Sequence, residues 1–136
     1  MKKTSSLFFI FMLFLLSTKL SAQTLYAAYI FNGSIGKNSI VLTFIVPDHF
    51  YNYDQGSYYY TKNKQKIEFR GQDMAEINAD GVQKLTETVN GINTGYFIFN
   101  NLDVIESKKI VGKWFTMDGK TVYPVVLTLS KTKYPY

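Results

Sequence analysis

From residue 25 onward the chain is built of short segments in which apolar and polar side chains trade places. Residues 38–46 (NSIVLTFIV) read as a buried strand, and residues 25–35 are rich in tyrosine and isoleucine. Residues 57–61 (SYYYT), 66–70 (KIEFR), 82–89 (VQKLTETV), 94–100 (TGYFIFN), 109–116 (KIVGKWFT) and 121–130 (TVYPVVLTLS) complete the set. A period of two marks a strand with one buried face. Turn chemistry separates the segments at Gly36-Lys37-Asn38, Asn63-Lys64, Asp80-Gly81, Asn90-Gly91 and Asp118-Gly119. The pattern predicts an all-β fold: an antiparallel meander of eight strands, closed or nearly closed into a barrel. Helical periodicity is confined to two short stretches, around residues 73–78 and 102–107.

Hairpin arithmetic assigns faces. A two-residue turn at Asn63-Lys64 sets Tyr60 opposite Ile67, Tyr59 opposite Glu68 and Tyr58 opposite Phe69. Tyr58 and Tyr60 then share the apolar face, and Tyr59 goes out with Glu68 and Arg70. A slip of one residue would put Glu68 on the apolar face instead. The Tyr58-Tyr59-Tyr60 run therefore reads as strand packing before it reads as a stacking platform for a ligand, although inward tyrosine hydroxyls need partners. A turn at Asp118-Gly119 sets Trp114 opposite Tyr123, Gly112 opposite Val125 and Ile110 opposite Leu127. Trp114 is then a core residue or a plug at one barrel end. Pro124, which has no N–H to give a ladder, predicts an edge, a bulge or a break in the last strand. Glu87 shares its parity with Leu85 and should point inward, where a carboxylate needs partners. Arg70 or a tyrosine hydroxyl could supply them, or the local register turns Glu87 outward.

The first residues break the alternation. Lys2 and Lys3 precede an apolar run at residues 7–16 and a short polar stretch, which is the layout of a secretory signal peptide. The run is far shorter than the roughly 20 residues of a membrane-spanning helix. Cleavage after Ala22 is expected, leaving Gln23 first in a single domain, residues 23–136, with no integral membrane segment and a periplasmic or secreted location.

That cut changes the charge. Lys2, Lys3 and Lys19 leave with the signal, so basic residues fall from 15 to 12 against 10 acidic ones, and the net charge from +5 to +2. The lysines are interleaved with acids, which excludes the basic stripe of a nucleic-acid-binding domain. Cysteine is absent. An exported domain of this kind has no disulfide to hold it and depends on its core, and it has no thiolate for a metal or a covalent step.

The motifs G-x-Y-x-Y (Gly56, Tyr58, Tyr60), I-x-F-x-G (Ile67, Phe69, Gly71), L-x-E (Leu85, Glu87), T-G-x-F (Thr94, Gly95, Phe97), G-x-W (Gly112, Trp114) and P-V-x-L (Pro124, Val125, Leu127) cover most of residues 26–130. In this order they resemble a family of small exported bacterial β-barrel-like domains, similar in outline to lipocalins and avidins. The resemblance implies the barrel more than a ligand. The chain lacks the G-x-W that lipocalins carry near their first strand.

Candidate chemistry is sparse. His49, the one histidine, lies in PDHFYNYD (residues 47–54) with Asp48 and Asp54 near it, and no nucleophile-elbow motif accompanies it. Asp73, Glu76 and Asp80 do not have the spacing of a calcium loop. GSIGK (residues 33–37) lacks the spacing of a phosphate loop, and Asn32-Gly33-Ser34 is a glycosylation sequon by spelling only. No catalytic residue, metal ligand or cofactor is expected. The loop does concentrate aromatics, which either plug a barrel end or form a contact surface. On the second reading Phe50, Tyr51 and Tyr53 make the patch, Tyr58 lies beneath it, and His49 tunes affinity with pH.

The sequence thus predicts a non-enzymatic exported binding module of the bacterial cell envelope, with a protein, a glycan or a small apolar ligand as partner. The alternatives are a periplasmic inhibitor of a hydrolase such as lysozyme and a small-ligand carrier of calycin type. A wide, lined cavity would favour carriage; a filled barrel with one exposed aromatic loop would favour protein binding.

Overall fold

The structure is a computed structural model, and it describes residues 25–47, 53–71 and 81–135. The expected signal segment, His49, Phe50, Tyr51, the stretch expected to be helical at 73–78 and Asp80 lie outside the described residues.

The eight strands are β1 (Tyr26–Ile35), β2 (Asn38–Pro47), β3 (Gln55–Tyr60), β4 (Ile67–Gly71), β5 (Val82–Val89), β6 (Ile92–Asn100), β7 (Lys109–Thr116) and β8 (Val122–Lys133). Each pairs antiparallel with the next, and β8 returns to pair with β1, so the meander closes into a barrel. The turns after β1, β3, β5 and β7 gather at one end, here the hairpin end. The connections after β2, β4 and β6 gather at the other. Residues 102–107 form a turn and not a helix. There Asp103 takes the backbone N–H groups of Glu106 and Ser107, and Val104 is fully buried against the core.

Local rules made most of these pairings. Asn90 and Gly91 both have positive φ, 51° and 78°, as a two-residue type I′ hairpin requires. The last hairpin has the expected register, with Trp114 opposite Tyr123 and Gly112 opposite Val125. The β3–β4 hairpin does not: Tyr58 sits opposite Ile67 and Gly56 opposite Phe69, two residues from the expected pairing. β3 stays with β2 to the end, where Thr61 donates to the Ser39 carbonyl, so the link to β4 widens to residues 61–66. A slip of two preserves parity, and Tyr58 and Phe69 still point inward.

Pro124 breaks nothing. β8 runs through it, with Lys113 opposite on β7. In a strand the N–H and C=O of one residue point the same way. The Pro124 carbonyl accepts from Gly36 N in the β1–β2 turn, so its missing N–H faces that turn, beyond the last β1–β8 pair at Ile35–Val125. The register shift of β8 against β1 falls at Ile30/Phe31 instead.

Rings fill the interior. Phe44 meets Phe31, Phe69 and Phe99 edge-on at centroid distances of 5.9, 5.6 and 6.4 Å. Phe97 joins Phe69, Phe99 and Tyr58 at 5.9, 5.8 and 5.4 Å. These spacings are those of attractive aromatic pairs. Leu42, Leu85 and Leu127, all fully buried, pack in the same cluster.

Candidate functional site

The buried charge sits near the hairpin end. Glu87, 4% exposed, is the one buried polar or charged residue among those described. Its inward parity is as the alternation of β5 dictates, and three other strands satisfy it. From β3 the Tyr58 hydroxyl donates to Oε2. From β7 the Trp114 indole N–H donates to the same oxygen at 3.0 Å. From β6 the Thr94 hydroxyl donates to Oε1 at 2.7 Å. Thr94 reaches it through a bulge: Glu87 pairs with Gly95 and Thr88 with Asn93, which leaves Thr94 unpaired and re-aimed. A tyrosine hydroxyl is thus the partner of Glu87, and the exposed Arg70 is not.

All three donors are neutral, so the cluster fixes geometry without cancelling charge. Burial, with the Glu87 carboxylate beside it, holds the Tyr58 phenol far above its ordinary range. Tyr58 therefore stays a donor. Its ring meets that of Tyr60 edge-on at 5.6 Å, and burial raises the Tyr60 phenol as well. Trp114 stacks on Tyr123 at 6.0 Å, and Tyr123 is 45% exposed. Tyr60, Trp114 and Tyr123 form an aromatic rim above a hydrogen-bonded carboxylate.

Beside the rim lies a surface pocket of about 310 Å³. Lys37, Asn38 and Ser39 of the β1–β2 turn line one side, Thr61, Lys62 and Asn63 of the β3–β4 loop the other, and Tyr60 completes it. Exposed lysines crowd this end: Lys37, Lys62, Lys64, Lys66 and Lys120. Lys66 is drawn to Glu68 at 3.6 Å, while Asp118 is held by its own turn.

Of the residues expected to form a contact patch, Tyr53 and Tyr58 are described. Tyr58 is 1% exposed, in the core, with its hydroxyl turned to Glu87. Tyr53 belongs to the opposite end of the barrel. It packs against the core cluster, donates to Asp103 Oδ1 at 3.3 Å, and its carbonyl accepts from Gln83 Nε2 at 2.7 Å. Burial, then the Asp103 charge, pushes its phenol up to about 12. Tyr53 thus plugs an end. His49, Phe50 and Tyr51 lie outside the described residues.

The sequence flagged Glu87 and the inward face of Trp114 separately. That they meet could have been suspected, because Glu87 and Trp114 lie within a few residues of the Asn90-Gly91 and Asp118-Gly119 turns on the same end. Thr94 could not, since its reach to Glu87 depends on the bulge. Among the described residues no three His, Cys, Asp or Glu side chains gather in a group that could hold a metal ion. Compared with family models, with curated proteins and with solved structures, the chain shows no significant match.

Proposed function

We propose that the protein is a non-enzymatic binding module exported to the bacterial cell envelope, and that it engages its partner from outside the barrel, at the hairpin end. The filled interior carries this reading. A carrier of small apolar ligands needs a hollow, and the axis of this barrel is occupied by Phe31, Phe44, Phe69, Phe97 and Phe99 in mutual contact. The hairpin end supplies what a surface site requires: half-buried aromatic rings for contact area and cations for orientation. The Glu87 cluster holds Trp114 and Tyr58 in place before a partner arrives, which lowers the ordering cost of binding.

The test is site-specific photo-crosslinking in envelope extract, with a diazirine-bearing residue at position 62 of the hairpin end or at position 108 of the opposite end. Adducts from position 62 and few from 108 are expected. Adducts from 108 alone would move the site to the end that carries Tyr53. Their absence from both would remove the binding reading.

A further inference from the structure

We infer that the pocket between the β1–β2 turn and the β3–β4 loop takes an acidic sugar unit, its carboxylate between Lys37 and Lys62 and its ring against Tyr60. The inference rests on the reading of the hairpin end as the working surface and names the ligand class for it.

Three features of the lining converge on that class. Amides and hydroxyls from Asn38, Asn63, Ser39 and Thr61 match a ligand that carries many hydroxyls of its own. An aromatic ring stands among them, and the C–H face of a sugar is attracted to the negative face of such a ring. Lys37 and Lys62 approach from opposite sides, and charge-assisted hydrogen bonds from two ammonium groups select an anion. A bare inorganic anion would use the lysines and leave the ring and amides idle. An acidic segment of a protein would fit a groove or a flat face better than a recess. At about 310 Å³ the pocket lies at the small end of ligand sites, which suits one sugar unit of a chain.

The ring is also held ready. Tyr60 lies edge-on to Tyr58, whose hydroxyl is tied to Glu87 in the core, so its position does not depend on the ligand. Its strand pairing is one-sided: Ile40 of β2 faces it, while the β3–β4 ladder ends at Tyr58–Ile67. The departure of β4 from β3 thus creates the recess, and the loop that follows brings Lys62 to it.

The experiment is an NMR titration of the protein with trigalacturonate, with its neutral methyl ester, with a triglutamate peptide and with inorganic phosphate. Trigalacturonate is expected to shift the amides of Lys37, Asn38, Thr61 and Lys62. The methyl ester, and trigalacturonate with a Lys37→Gln, Lys62→Gln double variant, are each expected to bind about tenfold more weakly, as loss of a charge-assisted contact predicts. Both substitutions are at exposed positions, so the variant should keep its melting temperature. Equal binding of the methyl ester would overturn the role of the charge. Equal binding of triglutamate or phosphate would overturn the sugar, as would shifts confined to other residues or none at all. Crosslinks from position 62 without any uronate binding would sink this inference and leave the broader reading standing.

Discussion

The indole N–H of Trp114 on β7 and the hydroxyl of Tyr58 on β3 meet at one oxygen, Oε2 of Glu87, from different strands of the barrel wall. Trp114 is therefore more than a hydrophobic plug, and Tyr58 is more than strand packing. Both anchor a carboxylate that the alternation of β5 forces inward.

Removing either donor should cost stability without changing the fold. Tyr58→Phe and Trp114→Phe each leave Glu87 Oε2 with one donor, and each is expected to destabilise by about 1–3 kcal/mol, the cost of an unmet buried hydrogen bond. Because they share an oxygen, the double variant should depart from additivity by about 0.5 kcal/mol or more. Urea melts of the four proteins measure this. Additive behaviour would show that the two bonds act independently.

Truncating the indole should do more. Trp114→Ala loses the hydrogen bond, the stacking on Tyr123 and core contacts, and about 3 kcal/mol is expected for a half-buried aromatic. Tyr59→Ala, on the outer face, should cost far less. Similar urea midpoints for the two would contradict the inward placement of Trp114.

Gly95 keeps room for that indole. A Cβ at Gly95 would come within 2.4 Å of Trp114 Cζ2 and 2.8 Å of the Phe115 carbonyl oxygen. Gly95→Ala should push the ring outward and break its bond to Glu87. Trp114 is the single tryptophan, so its fluorescence reports the change directly. A shift of emission to longer wavelength and a lower melting temperature are expected, and an unchanged spectrum would contradict the contact.

Alkaline pH should unfold the protein through its buried tyrosines. Tyr53 is raised from 10.0 to about 12 in the folded state, and Tyr58 is raised further. Below pH 10 both states hold these protons and stability is full. Above it the unfolded chain releases them while the folded chain does not, so stability falls as pH rises from 10 through 12. Melting temperature followed by circular dichroism at successive pH values checks the direction. Ultraviolet titration should show these two phenols ionising with unfolding, after the exposed tyrosines.

Export has its own test. Protein recovered from the envelope or the medium is expected to begin at Gln23. Edman sequencing that returned Met1, or recovery with the inner membrane, would contradict the reading of residues 1–22 as a cleaved signal.

The number and order of the strands, the all-β class and the apolar face of most of them were legible in the residue order, because these follow from a period of two and from turn residues that act over a few positions. Tyr58 and Tyr60, or Ile110 and Trp114, shared an apolar face by parity alone, whereas Glu87 shared the parity of Leu85 and could still have been turned out by the local register. The remainder depends on how the strands meet. A slip of two in the β3–β4 hairpin was invisible, since it leaves every side chain on its own face and changes only which residues are opposite. The bulge that turns Thr94 to Glu87 inserts a residue without altering composition or pattern. The Tyr58 and Trp114 donors lie 29 and 27 residues from Glu87 along the chain, and only the curvature of the wall brings them to one carboxylate. Chain connectivity fixes neighbours along a strand; convergence across strands is set by register and curvature, which no short stretch of sequence contains.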